Sequence, residues 1–139
     1  MPTRLSPSQS WKLRTGAVLG AALLAAVPVL AQAPSMAILD GLKKGAWTFR
    51  DRNTGQSRSI CVRSGREFIQ LRHNQPGCSR TVVQDSGREV TIQYTCRGNG
   101  YGRTSIRSED SGLVQVRTQG IYNGAPFSIE GEARHTGSC

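Results

Sequence analysis

Val90-Thr91-Ile92-Gln93-Tyr94-Thr95-Cys96 decides the fold. Val90, Ile92, Tyr94 and Cys96 fall on one side of an extended chain, and Thr91, Gln93 and Thr95 on the other. That period of two is the pattern of a half-buried antiparallel strand. Downstream, Phe127, Ile129, Gly131 and Ala133 alternate in the same way with Ser128, Glu130, Glu132 and Arg134. Turn signals punctuate the chain at close spacing: Asn53-Thr54-Gly55, Asp85-Ser86-Gly87, Gly98-Asn99-Gly100, Asp110-Ser111-Gly112 and Asn123-Gly124. Together they predict strands near residues 45–50, 57–62, 79–84, 89–97, 102–109, 113–120 and 126–134. The fold class is all-β: an antiparallel meander curled into a small or partial barrel.

Two short helical interruptions are expected. Ser64 followed by Glu67 has the form of a capping box, with Phe68 and Leu71 on one side and Pro76-Gly77 to stop it, which places one short helix between strands 2 and 3. Ser35 has the chemistry to cap a helical turn through Met36, Ile38, Leu39 and Leu42, ending at Gly45. Trp47, which begins the first strand, reads as a core or end-plug residue.

The N-terminus has the layout of an export signal. A polar start carrying Arg4, Lys12 and Arg14 precedes an uncharged apolar run from Ala17 to Leu30, and small residues follow at Ala31 and Ala33. The run is shorter than the ~20 residues of a membrane-spanning helix, and Pro28 interrupts it. Cleavage after Ala31 is preferred, because Pro34 constrains the alternative site after Ala33. The expected division is signal peptide 1–31, an N-terminal segment 32–44 and a disulfide-stapled β domain 45–139. The mature chain would keep 108 of the 139 residues and no membrane span. With fifteen basic and nine acidic side chains its net charge would be +6, which favours anionic surfaces non-specifically.

Four cysteines, Cys61, Cys78, Cys96 and Cys139, all lie beyond the signal, and in an oxidising compartment they read as two disulfides. Zinc ligands come in close pairs, whereas sixteen residues separate even the nearest two cysteines, so no metal site is expected. If the strands run up and down in order, Cys61, Cys78 and Cys96 share one end of the sheet. That favours Cys61–Cys78 with Cys96–Cys139. Against it, Cys78 and Cys96 flank Gly87 almost symmetrically in a predicted hairpin, which would leave Cys61 for Cys139 and keeps the pairing open.

No constellation points to chemistry. The only candidate bases for nucleophilic catalysis, His73 and His135, read as surface histidines, and no serine sits in a G-x-S-x-G elbow. A glycosidase-like carboxylate pair would have to come from Glu67, Asp85, Glu89, Glu109, Asp110, Glu130 and Glu132. Asp85 and Asp110 have a simpler task in Asx-type turns, and Glu130 and Glu132 point outward from their strand. Gly98-Asn99-Gly100-Tyr101-Gly102 has the glycines of a phosphate loop, but it links two strands rather than opening a helix. Arg103, Arg107 and Arg117 align with Glu130, Glu132 and Arg134 across three strands, either as an anion-binding ladder or, more simply, as cross-strand ion pairs. That face carries no aromatic beyond Tyr101 on which bases would stack, so nucleic acid is not an expected partner.

A secretion signal, Gly45-x-Trp47, Cys61, a Cys78 that opens a hairpin with a central glycine, Cys96 and a closing Gly137-Ser138-Cys139 form one layout. In it the chain resembles the small exported proteobacterial proteins grouped as domain-of-unknown-function family 3617. The resemblance runs from about Leu42 to Cys139. It implies an exported location and this architecture, and it carries no activity or site residues. The tail departs from the pattern with Ala133-Arg134-His135 before Gly137, and the chain is richer in arginine. Gly45-x-Trp47 is also similar to the first-strand motif of lipocalin-like barrels, including small periplasmic protease inhibitors.

The sequence therefore leads to a non-enzymatic periplasmic or extracellular protein without cofactor. It would bind a small apolar or anionic molecule inside the sheet, or an envelope protein on its face. The alternative is a lipocalin-like inhibitor of an envelope or secreted hydrolase.

Overall fold

All seven expected strands form in the computed structural model, which describes residues 36–139. They are β1 Gly45–Asp51, β2 Ser57–Val62, β3 Ser79–Asp85, β4 Glu89–Cys96, β5 Gly100–Asp110, β6 Leu113–Tyr122 and β7 Ala125–Gly137. Every pairing is antiparallel, in the order β2-β1-β7-β6-β5-β4-β3. The sheet is curled but not closed. The export signal, its cut after Ala31 and the cap at Ser35 lie outside the described residues.

The strand order is that of an up-and-down ring cut open between β2 and β3. Alternating directions along seven strands give the first and the last the same direction, so β2 and β3 run parallel. A tight hairpin cannot join parallel neighbours, and the connection between them, residues 63–78, has to carry the chain back along the length of the sheet. It does so through the interior. Phe68 packs edge-on against Trp47 at 5.3 Å, near the proximal end where β1 begins. Ile69 follows, its carbonyl accepting a 2.6 Å hydrogen bond from Thr104 Oγ1 of β5. His73 then lies at the distal end, beside the β4–β5 turn.

This geometry corrects the favoured disulfide pairing. The bonds are Cys61–Cys139 and Cys78–Cys96. Cys61 near the end of β2 and Cys139 after β7 meet at the proximal end. Cys78, which opens β3, starts at the distal end beside Cys96 at the close of β4. Cys61–Cys78 assumed that β2 and β3 are antiparallel neighbours; because they are parallel, the two cysteines stand at opposite ends of the sheet.

The inner face is apolar, with Trp47, Phe49, Val62, Val90, Ile92, Tyr94, Ile106, Val114, Val116 and Ala133 all buried. Large rings face glycines. A Cβ on Gly102 would lie 2.4 Å from the Tyr94 hydroxyl, and one on Gly131 2.5 Å from the Phe49 ring. These gaps let aromatic side chains lie over the neighbouring strand, and so let the sheet curl tightly. The proximal end is sealed by the N-terminal segment. There α1 (Ala37–Asp40) buries Leu39, Leu42 follows, and the Trp47 indole N–H donates to the Lys43 carbonyl at 2.9 Å.

Several local expectations are revised. The helical turn ends at Gly41 rather than Gly45, and Met36 occupies its N-cap position without a side-chain bond. The second interruption is a 3-10 turn, Arg66–Phe68, with Gly65 at the N-cap. Half of the capping box survives, because Glu67 accepts the backbone N–H groups of Arg63 and Ser64 at 3.0 and 3.2 Å. At the β3–β4 turn Ser86, not Asp85, bonds the local backbone, while Asp85 accepts the Met36 N–H at 3.0 Å.

Candidate functional site

His73 is buried and His135 half-buried, where both were expected on the surface. His73 is 1% exposed, ringed edge-on by Tyr94, Tyr122 and Phe127. Its Nε2 faces the Asn99 carbonyl at 3.0 Å and its Nδ1 the Tyr94 hydroxyl at 2.9 Å. A carbonyl only accepts, so Nε2 donates to it, and in the neutral ring Nδ1 then accepts from the phenol. Burial raises the Tyr94 phenol above its ordinary value. His135 lies within β7 rather than after it, half-buried against Trp47 at 5.8 Å. Both histidines pack against aromatic rings: each position follows the inward parity or the connector's path, which the sequence alone did not place.

The outer-face arginines take part in ion pairs, but only Arg117–Glu130, at 3.5 Å, crosses strands, while Arg134–Glu132 at 2.6 Å and Arg107–Glu109 at 2.7 Å lie within β7 and β5. Arg52, from the β1–β2 turn, joins them through Glu130 and Gln115. Glu132 is held below the usual carboxylate range, first by its bond from Gln115 and then by Arg134. Arg103 is exposed on β5, and Asp110 accepts the Gly112 N–H in the Asx-type turn expected of it. Glu67 is committed to the 3-10 turn, and Gly98–Gly100 forms the β4–β5 turn. Among the described residues no three His, Cys, Asp or Glu side chains gather as a metal site would require.

What the sequence reading missed lies at the seam. Register pairs Phe49 with Arg58 and Tyr94 with Arg80, and directly paired residues share a face. Arg58 and Arg80 therefore lie on the inner-face side of the two edge strands, in phase with Ile60 and Val62 on β2 and with Val82 on β3, and are exposed at the rim. A charge at an apolar position of an alternating strand was the available signal. The connector adds Arg72. The guanidinium of Arg58 lies 5.3 Å from the Phe49 ring centroid and that of Arg72 4.6 Å from that of Tyr122, both within cation–π range. Arg80 Nε donates to Gln70 Oε1 of the connector at 2.8 Å.

Two clefts flank Arg58, the first at the distal mouth among β1, β2, β7 and the connector, the second at the seam itself between β2, the connector and β3. The first, of about 380 Å³, lies between Arg58, Arg72, Phe49, Phe127 and Ile129. The second, of about 460 Å³, runs between Arg58, Ile60, Gln70, His73 and Arg80. Desolvation lowers the Arg58 pKa; Asp51 opposes this and Arg72 adds to it. The ring of strands is otherwise filled by Trp47, Tyr94, Phe68, Ile69 and His73.

Comparison with protein-family models, curated proteins and solved structures returns no significant match. The two disulfides fit an oxidising, exported location. Among the described residues no helix is long and apolar enough to cross a membrane.

Proposed function

We propose that the protein is a non-enzymatic periplasmic or extracellular binding protein that takes an anionic ligand at the open seam between β2 and β3. The resemblance to the exported domain-of-unknown-function family 3617 is kept as part of this reading. The observation that carries it is the inner-face position of Arg58 and Arg80 on the two edge strands. Elsewhere the inner face is almost wholly apolar, and the connector occupies the space in which a lipocalin-like barrel would hold a guest. A ligand has room at the rim, where the clefts are lined by guanidiniums, hydroxyls and amides.

The test is to express the full chain in a bacterial periplasm and compare native with denaturing mass spectra. The expected result is a discrete small-molecule mass retained by the native protein and lost from R58E/R80E. A bare monomer in both proteins would overturn the reading. So would reproducible hydrolysis of generic ester or glycoside substrates that disappears on mutating one polar residue.

A further inference from the structure

We propose that the cleft between Arg58 and Arg72 takes an amphiphilic organic anion, with one carboxylate or phosphate group on an aromatic or short aliphatic body. The inference rests on Arg58 belonging to the binding element proposed above, and names the class of ligand accepted where that element meets the distal mouth.

Two guanidiniums reach this cleft from different elements, Arg58 from an edge strand and Arg72 from the connector. Neither pairs with a carboxylate among the described residues, whereas the outer-face arginines Arg107, Arg117 and Arg134 do. Each is instead held over an aromatic ring. A cation–π contact engages none of the N–H donors at a guanidinium's edge, which leaves them for forked recognition of carboxylate or phosphate.

The neighbouring charges point the same way. Like charges sharing a cleft repel, and partial desolvation already disfavours the Arg58 cation. A bound anion relieves both costs. Asp51 borders the cleft, but its Oδ1 accepts the Asn53 and Thr54 N–H groups at 2.7 and 3.3 Å, which commits that oxygen to the β1–β2 turn. The rest of the wall sets the ligand's other half. Phe127 and Ile129, both half-buried, offer an apolar surface beside the charges, with the buried Phe49 ring behind them. A bare inorganic anion would leave that surface wet, and a neutral hydrocarbon would leave the guanidiniums unpaired.

There is a plainer account of Arg58: a charge on the inner face of an edge strand guards against edge-to-edge association. It does not explain the second arginine from the connector on the same cleft. It does supply a competing outcome.

The test is calorimetric titration of the purified protein with phenyl phosphate, benzoate, inorganic phosphate and benzyl alcohol. Phenyl phosphate and benzoate should bind saturably, at least about tenfold tighter than the other two. R72Q should weaken them about tenfold, the loss expected of a charge-assisted hydrogen bond, with an unchanged melting temperature, and R72K should fall between. Competition by phosphatidylglycerol vesicles would identify a lipid as the source of the anion; its absence would identify a soluble one.

Equal binding of inorganic and phenyl phosphate would overturn the proposal, as would no binding of any probe. It would also fall if R58Q and R72Q kept full affinity but self-associated. If every probe fails while the native mass still shows a captured molecule, the seam reading stands and only this ligand class falls.

Discussion

The two ends of the curled sheet are closed by different physics. At the proximal end Leu39, Leu42, Trp47, Val62 and Phe68 are buried side by side, and the Trp47–Lys43 bond is the polar tie among them. At the distal end the connector is held by directional contacts: His73 between Tyr94 and the Asn99 carbonyl, and Gln70 against Arg80 and Cys78. Apolar burial is non-directional and tolerates adjustment, whereas buried polar groups are costly as soon as one partner is lost. One end therefore relies on bulk and the other on geometry.

The disulfides sharpen this contrast most. Cys61–Cys139 spans 78 residues and Cys78–Cys96 only 18. By loop-closure entropy, C61A/C139A should cost about 4.5 kcal/mol and C78A/C96A about 3 kcal/mol, measured by urea unfolding of each double variant. The reverse order would mean that the distal geometry, rather than chain entropy, limits stability.

A smaller effect tests the distal network itself. Tyr94→Phe preserves the ring but leaves His73 Nδ1 without its donor at a site only 1% exposed. The expected loss is about 1–3 kcal/mol, read from the same unfolding curves. A neutral result would show that the packing of the three rings, not the hydrogen bond, holds the histidine.

The smallest expected effect is in the alkaline limb. Burial raises the Tyr94 pKa above its unfolded value of about 10. The folded state thus holds the phenolic proton more tightly. This contribution is complete below pH ~10 and is lost as pH rises through the raised folded value. Wild-type stability should fall there, and Tyr94→Phe should lack that component of the fall.

Legibility differed by element for physical reasons. Strands were readable because alternation is a local property: Val90–Cys96 declares its inner face without reference to any other segment. The connector was not. The sequence marks Phe68 and Leu71 as apolar, but nothing local says that His73 will be enclosed by Tyr94, Tyr122 and Phe127, residues brought from three strands. The favoured disulfide pairing failed for the same reason, since it depends on whether β2 and β3 run parallel, a property of the whole sheet, whereas the alternative drawn from the local β3–β4 hairpin is the one observed. Arg58 and Arg80 lie between these cases. Their phase with Ile60 and Val82 was readable; that they belong to the two edges was not.

A ring whose neighbours must alternate can close only with an even number of members. Seven strands make an odd ring, so one mismatch is unavoidable, and the freedom lies only in where it is put. Here it falls at the longest connection, and that connection becomes the filling of the ring. The six remaining pairings are all antiparallel, three of them with a local register shift. Sequence change along the seam can accordingly alter what the molecule meets in solution while leaving the hydrogen-bonded ladder of the other strands untouched.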